Sequence, residues 1–146
     1  MSKVNTIRIG FIGETAVIKD LISRYNYHVY RPVIDEQGVD LIVERRKKEF
    51  LRIQVKTITD LKSDTAIEVR LHKYRNKDMI DIVAVYYKDK DMICYVPYEN
   101  QTSINLALKP SKNRQQKKRN YFYQYMEFPI GVYKILWICM QNLITH

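Results

Sequence analysis

GVDLIVERRKKEFLRIQVKT, residues 38–57, decides how this chain is read. Leu41 and Val43 alternate with Asp40, Ile42 and Glu44, which is the two-residue period of a strand. RKKE makes a tight charged connection, and FLRIQVKT runs back. On the returning strand Leu51, Ile53 and Val55 share one face, while Arg52, Gln54 and Lys56 share the other. A hairpin brings the start of its first strand beside the end of its second. Asp40 is therefore expected next to Gln54 and Lys56: an acid, an amide and an amine at one end of a buried-looking hairpin.

Those residue types suit one kind of chemistry. Asp40 offers a hard anionic oxygen for Mg²⁺, and the backbone carbonyl of Val55 a neutral one. Glu14 offers a second carboxylate, directly or through water, if its helix packs across the same end of the sheet. Gln54 can coordinate through its amide oxygen or orient a water, without charge. Lys56 can stabilise an attacking water or the crowded charge of a phosphate in transition. The chemistry expected of this set is metal-dependent hydrolysis of a phosphodiester. Each residue has a blander reading. Glu14 suits a helix N-terminus, and Asp40 a turn after Gly38. Gln54 and Lys56 could be polar strand residues on a solvated face.

Working outward from the hairpin, Glu14 opens an expected helix. Val17, Ile18, Leu21, Ile22 and Tyr25 form its apolar stripe, and it ends near Asn26. Gly10 and Gly13 flank its entry. YHVYRP is a short strand stopped by Pro32, and DEQG a turn. Downstream, TAIEVRLHKY alternates Ile67, Val69 and Leu71 with Glu68, Arg70 and His72. IDIVAVYY has the continuous apolar character of a central strand, and MICYVPY follows a polar turn. QTSINLAL fits either a docking helix or an edge strand. One helix followed by a block of strands leaves little room for βαβ repeats and predicts an α/β or α+β fold around a mixed sheet. GFIG lies outside any Rossmann context.

Composition bounds the rest. The chain has 146 residues and is 46% hydrophobic, enough for one domain, 1–146, with a real core. The net charge of +9 favours a polyanionic partner, nucleic acid ahead of an acidic membrane surface. Cys94 and Cys139 have no CxxC or zinc spacing and read as core thiols in a reducing compartment. The N-terminus lacks the apolar run of a signal peptide, and no stretch of about 20 apolar residues offers a membrane span. A cytoplasmic or host-cell interior is the expected location, with no membrane partner.

GVDLIVE followed by RIQVKT resembles the core of the PD-(D/E)XK nuclease superfamily. Glu14 in FIGETAVIKDLI resembles that family's helix acid, and Asp40 stands at its invariant aspartate. Gln54-Val55-Lys56 matches the Q-x-K variant of its (D/E)-x-K motif, and Val39 replaces the nominal proline. The stretch from His72 to Glu99 is similar to the post-motif strands of small family members, among them a bacterial group I intron-encoded homing enzyme. The resemblance implies an α/β, restriction-endonuclease-like core with a mixed central β-sheet flanked by helices. It also implies a Mg²⁺-dependent DNA endonuclease (Mn²⁺ a possible substitute) acting on double-stranded DNA as a homodimer or homotetramer. Glu14, Asp40, Gln54 and Lys56 would be catalytic; Glu14, Asp40 and the Val55 carbonyl would hold metal.

Two further regions bear on DNA. Lys109, Lys112, Arg114, Lys117, Lys118 and Arg119 place six cations in eleven residues with no acid, a candidate phosphate-contact segment near 109–119. Arg52 and Arg70 could also touch phosphates, or only solubilise the sheet. Tyr121, Phe122, Tyr123 and Tyr125 could stack on bases, though core or interface is favoured for most. Phe128–Cys139 is apolar and either closes the core or covers a neighbouring subunit. Homing is expected ahead of Holliday-junction resolution; a catalytically silent DNA-binding or assembly domain is the alternative from another class. Asp81 is expected to make a structural hydrogen bond.

Overall fold

A computed structural model describes residues 3–34, 38–61, 65–110 and 119–130. The chain runs α1 (Lys3–Tyr25), β1 (His28–Tyr30), β2 (Leu41–Arg46), β3 (Glu49–Ile58), β4 (Ala66–Arg70), β5 (Ile82–Tyr87), β6 (Met92–Pro97) and β7 (Ser103–Ala107). Short 3₁₀ turns lie at His72–Tyr74, Lys88–Lys90 and Phe122–Tyr125. Five strands form a mixed sheet in the order β1-β2-β3-β5-β6. β3 pairs antiparallel with β2 and parallel with β5. This is the expected α/β fold: a mixed central sheet flanked by helices, with a restriction-endonuclease-like core.

The alternation in the hairpin sorts the sheet into two faces. Leu41, Val43, Leu51, Ile53 and Val55 are buried with Val17 and Leu21 of α1, and with Ile82, Ala84, Tyr95 and Phe128. The opposite face carries Val83, Val85, Tyr87, Cys94 and Val96, covered by Ile67, Val69 and Leu71 of β4, Ile104 and Leu106 of β7, and Phe122. β4 and β7 make a separate two-stranded antiparallel ribbon across that face. The stretch left open as helix or strand is therefore β7, because its partner β4 presents an unpaired edge two-residue in period. Each fully buried Leu or Ile stabilises the fold by about 1.5–3 kcal/mol. Cys94 is buried, as expected, and burial pushes its thiol up to about 12; Cys139 lies outside the described residues.

One expectation is corrected. The helix does not open at Glu14; it begins at Lys3 and carries both Gly10 and Gly13 in its interior. Its first half exposes Ile7, Phe11 and Ile12, so no apolar stripe marks it. A glycine inside a helix costs about 0.5–1 kcal/mol against alanine, which made two glycines read as a boundary. Gly13 has a packing reason. A Cβ there would sit 1.8 Å from Thr57 Oγ1, so the helix lies against β3 at a distance only glycine permits. Among the described residues no helix is long and apolar enough to cross a membrane.

Candidate active site

The ladder between β2 and β3 stops one residue short of the candidate site. Leu41 pairs with Ile53, and the Asp40 N–H still donates to the Ile53 carbonyl at 2.9 Å. Then the chain turns away through Gly38, whose φ of +72° lies in the left-handed region. β3 continues alone on that side. The N–H and C=O of a strand residue point to the same neighbour, so Val55 faces the gap that β2 has left. Its N–H donates to Asp40 Oδ2 at 2.7 Å. Its carbonyl accepts from Gln54 Nε2 at 3.2 Å. The end of a strand thus gathers a carboxylate, a backbone carbonyl and an amide around one backbone position.

Gln54 is the one polar residue in the buried core among the described residues, and its Oε1 has no hydrogen-bond partner among them, a state it shares with Thr57 Oγ1, the Tyr98 hydroxyl and Arg119 Nη1. An unpartnered buried amide oxygen costs about 1–3 kcal/mol. The same oxygen lies 3.4 Å from where a Cβ on Gly38 would be. Lys56, half-buried, places Nζ 3.1 Å from the Tyr74 hydroxyl and 5.1 Å from the centre of that ring. Tyr74 itself is buried at the end of its 3₁₀ turn. A Cβ on Gly38 would sit 2.4 Å from Tyr74 Cε1, so the left-handed glycine makes room for the ring that meets the lysine.

Asp40, Gln54, Val55 and Lys56 are therefore brought together. Glu14 lies on α1, one residue beyond the Gly13–Thr57 contact, with its Oε2 3.3 Å from Arg31 Nη1. It sits in the middle of α1, so a helix N-terminus does not explain it. Sequence reasoning missed Tyr74, Gly38 as a packing residue, and Arg31. The signal for Tyr74 was its place just after the alternating Ile67–Leu71 run, where a ring could return to the sheet.

The expected phosphate contacts divide. Arg52 is engaged within the protein: its Nε lies 3.1 Å from Asp81 Oδ2, and its Nη1 donates to the Asp78 carbonyl at 2.6 Å. Hydrogen bonding to Asp81 holds its pKa above the ordinary guanidinium value. Asp81 also accepts from the Arg52 N–H at 2.7 Å, the structural hydrogen bond expected of it. Arg70 is exposed and only loosely paired with Glu68 at 3.8 Å. Arg119 has a buried Nη1 without a partner among the described residues. Lys112, Arg114, Lys117 and Lys118 lie outside the described residues, as does the apolar stretch beyond Ile130. Of the aromatic run, Phe122 is core, while Tyr123 is exposed and stacks on Tyr121.

Among the described residues no three His, Cys, Asp or Glu side chains group to hold a metal ion. The donors gathered around Val55 are of another kind: one carboxylate, one backbone carbonyl and an unpartnered amide oxygen, all hard oxygens. They fit Mg²⁺, which is bound through one or two carboxylates and keeps several waters.

A family model for the PD-(D/E)XK endonucleases matches residues 4–128. A solved structure of a bacterial homing endonuclease, I-Ssp6803I, superposes with a TM-score of 0.59 at 17% identity, over 94% of this chain and 95% of that one. At that identity the likeness is one of fold. No curated protein matches the chain by sequence.

Proposed function

The chain belongs to the PD-(D/E)XK endonuclease family, and from that premise we propose that it is a metal-dependent, site-specific endonuclease of double-stranded DNA, intron-associated and homing in type. One observation carries the reading: the unpartnered Gln54 oxygen beside Asp40 and the Val55 carbonyl, with Lys56 adjacent. Asp40, Gln54 and the Val55 carbonyl would hold the metal, with Glu14 as a further carboxylate. Bound Mg²⁺, or Mn²⁺ in its place, would polarise the scissile phosphate and make a bound water more acidic.

The protein's own residues do the rest. The Val55 N–H fixes the Asp40 carboxylate in place, and Tyr74 fixes the Lys56 amine. Lys56 then meets the charge that builds on the phosphate during displacement, where a preorganised cation is worth most. Arg70, Arg119 and the cations at 112, 114, 117 and 118 would hold flanking phosphates; Arg52, tied to Asp81 and Asp78, serves the fold. Cutting both strands calls for two active sites or a turned-over single one, so a homodimer or homotetramer completes the proposal.

The test is Mg²⁺-dependent cleavage of a randomised duplex pool and of a four-way junction, with Lys56→Ala alongside. Cuts at one long recurring sequence, lost in Lys56→Ala, are the expected result. Nicks confined to the junction would reassign the protein to junction resolution. Cleavage that survives Lys56→Ala would sink the mechanism, and DNA binding without any cleavage would make this a silent scaffold.

A further inference from the structure

The segment that delivers Tyr74 to Lys56 has a second character. Residues 72–77 read His-Lys-Tyr-Arg-Asn-Lys. Only Tyr74 is buried; His72, Lys73, Arg75 and Lys77 are exposed on either side of it. None of the four has a carboxylate partner among the described residues. The acids that follow, Asp78 and Asp81, are bonded to Arg52 instead.

The segment is also held firmly. Leu71 N–H donates to the Thr102 carbonyl at 2.8 Å, at the end of the β4–β7 ribbon. Asn76 and Asn100, both left-handed, exchange two hydrogen bonds: Asn76 N–H to Asn100 Oδ1 at 2.7 Å, and Asn100 Nδ2 to Asn76 Oδ1 at 2.8 Å. The Asp78 carbonyl accepts from Arg52. A loop pinned at three points, with its cations facing out, meets an anion without first losing freedom.

We infer that the 72–77 segment is a phosphate-binding rail for DNA, with Lys73, Arg75 and Lys77 contacting the backbone next to the phosphate that Lys56 addresses. This rests on the endonuclease reading for the site it adjoins. One observation favours DNA over plain solvation: the cations flank the residue that bonds the lysine of the proposed site. Arg46, Lys47 and Lys48 supply the comparison. They are three exposed cations at the hairpin tip, eight residues along β3 from Lys56, about 26 Å at a strand's rise.

The experiment is the salt dependence of binding to a labelled mixed-sequence duplex, without divalent metal. It compares wild type with Lys73→Gln/Arg75→Gln/Lys77→Gln and with Arg46→Gln/Lys47→Gln/Lys48→Gln. Both variants lose the same charge, and both change only exposed side chains, checked by circular dichroism. The rail variant should lower the magnitude of the log K against log salt slope by about 2.7, at about 0.9 per phosphate contact. The hairpin variant should leave the slope unchanged. An unchanged slope in the rail variant, or equal losses in both, would overturn the inference. Cleavage measured separately keeps the two claims apart. A wild type that binds with the predicted slopes but never cuts retains the rail and loses the endonuclease; one that does not bind duplex DNA loses both.

Discussion

Asp40 and Asp81 occupy equivalent positions on opposite edges of β3. Each is the residue before a strand that pairs with β3, and each accepts a hydrogen bond at 2.7 Å from a β3 backbone N–H, that of Val55 or of Arg52. Beyond that they diverge. Asp81 is enclosed by the Arg52 guanidinium, which takes both its oxygens. Asp40 shares its edge of the strand with a carbonyl, an amide with a spare oxygen, and a lysine held by Tyr74. One edge carries a guanidinium that engages both aspartate oxygens; the other carries an amide oxygen with no hydrogen-bond partner among the described residues. The same local device is a fastening at Asp81, and at Asp40 it adjoins the residues proposed for the site.

The largest effect should come from exchanging each aspartate for its isostere. Asp40→Asn keeps an acceptor for the Val55 N–H and removes the charge. We expect cleavage to fall by about 10²–10³-fold with the urea midpoint nearly unmoved. Asp81→Asn should do the reverse, losing about 1 kcal/mol of stability, since Arg52 is partly exposed, while cleavage per folded molecule persists. If both variants lose activity alike, the contrast between the two edges is broken.

Gly38→Ala tests the Asp40 edge by crowding it. A Cβ at φ +72° and 2.4 Å from Tyr74 should cost about 2–3 kcal/mol in urea unfolding and cleavage as well, because the ring would leave Lys56. Full activity in a folded Gly38→Ala protein would show that the ring's position is unimportant. Tyr74→Phe is gentler: it removes only the hydroxyl, and turnover at saturating DNA should drop about fivefold, near 1 kcal/mol, with KM held. A change confined to KM would instead place Tyr74 with the DNA contacts.

Gly10→Ala should give the smallest shift, toward stability. Nothing lies within 4 Å of the added Cβ, so about 0.5–1 kcal/mol is expected from helix propensity alone. Cleavage that stays constant in that background would show that the Asp40 edge of β3 draws nothing from this part of α1.

The hairpin was legible because alternation and turn chemistry are local. Leu41, Val43, Leu51 and Ile53 announce one face, and strand antiparallelism alone places Asp40 by Val55. β5 announced itself by having no polar alternation. The first half of α1 was hidden because Ile7, Phe11 and Ile12 face outward and two glycines interrupt it. β7 was ambiguous because five residues of mixed polarity take their conformation from β4, which lies over thirty residues earlier. Tyr74 was invisible for a related reason. Its bond to Lys56 spans 18 positions and depends on a glycine turning left-handed at 38. What escaped sequence reasoning was set by contacts between elements, not by periodicity within them.

The β4–β7 ribbon also sets an order of assembly. Asp40, Gln54, Lys56 and Tyr74 are all synthesised before Ser103. Yet β4, which leads into the Tyr74 turn, has its strand partner only in Ser103–Ala107. A nascent chain therefore carries every residue of the site well before it carries the strand that braces Tyr74 over Lys56. The turn that carries Tyr74 is therefore braced by its ribbon only once β7 has been added.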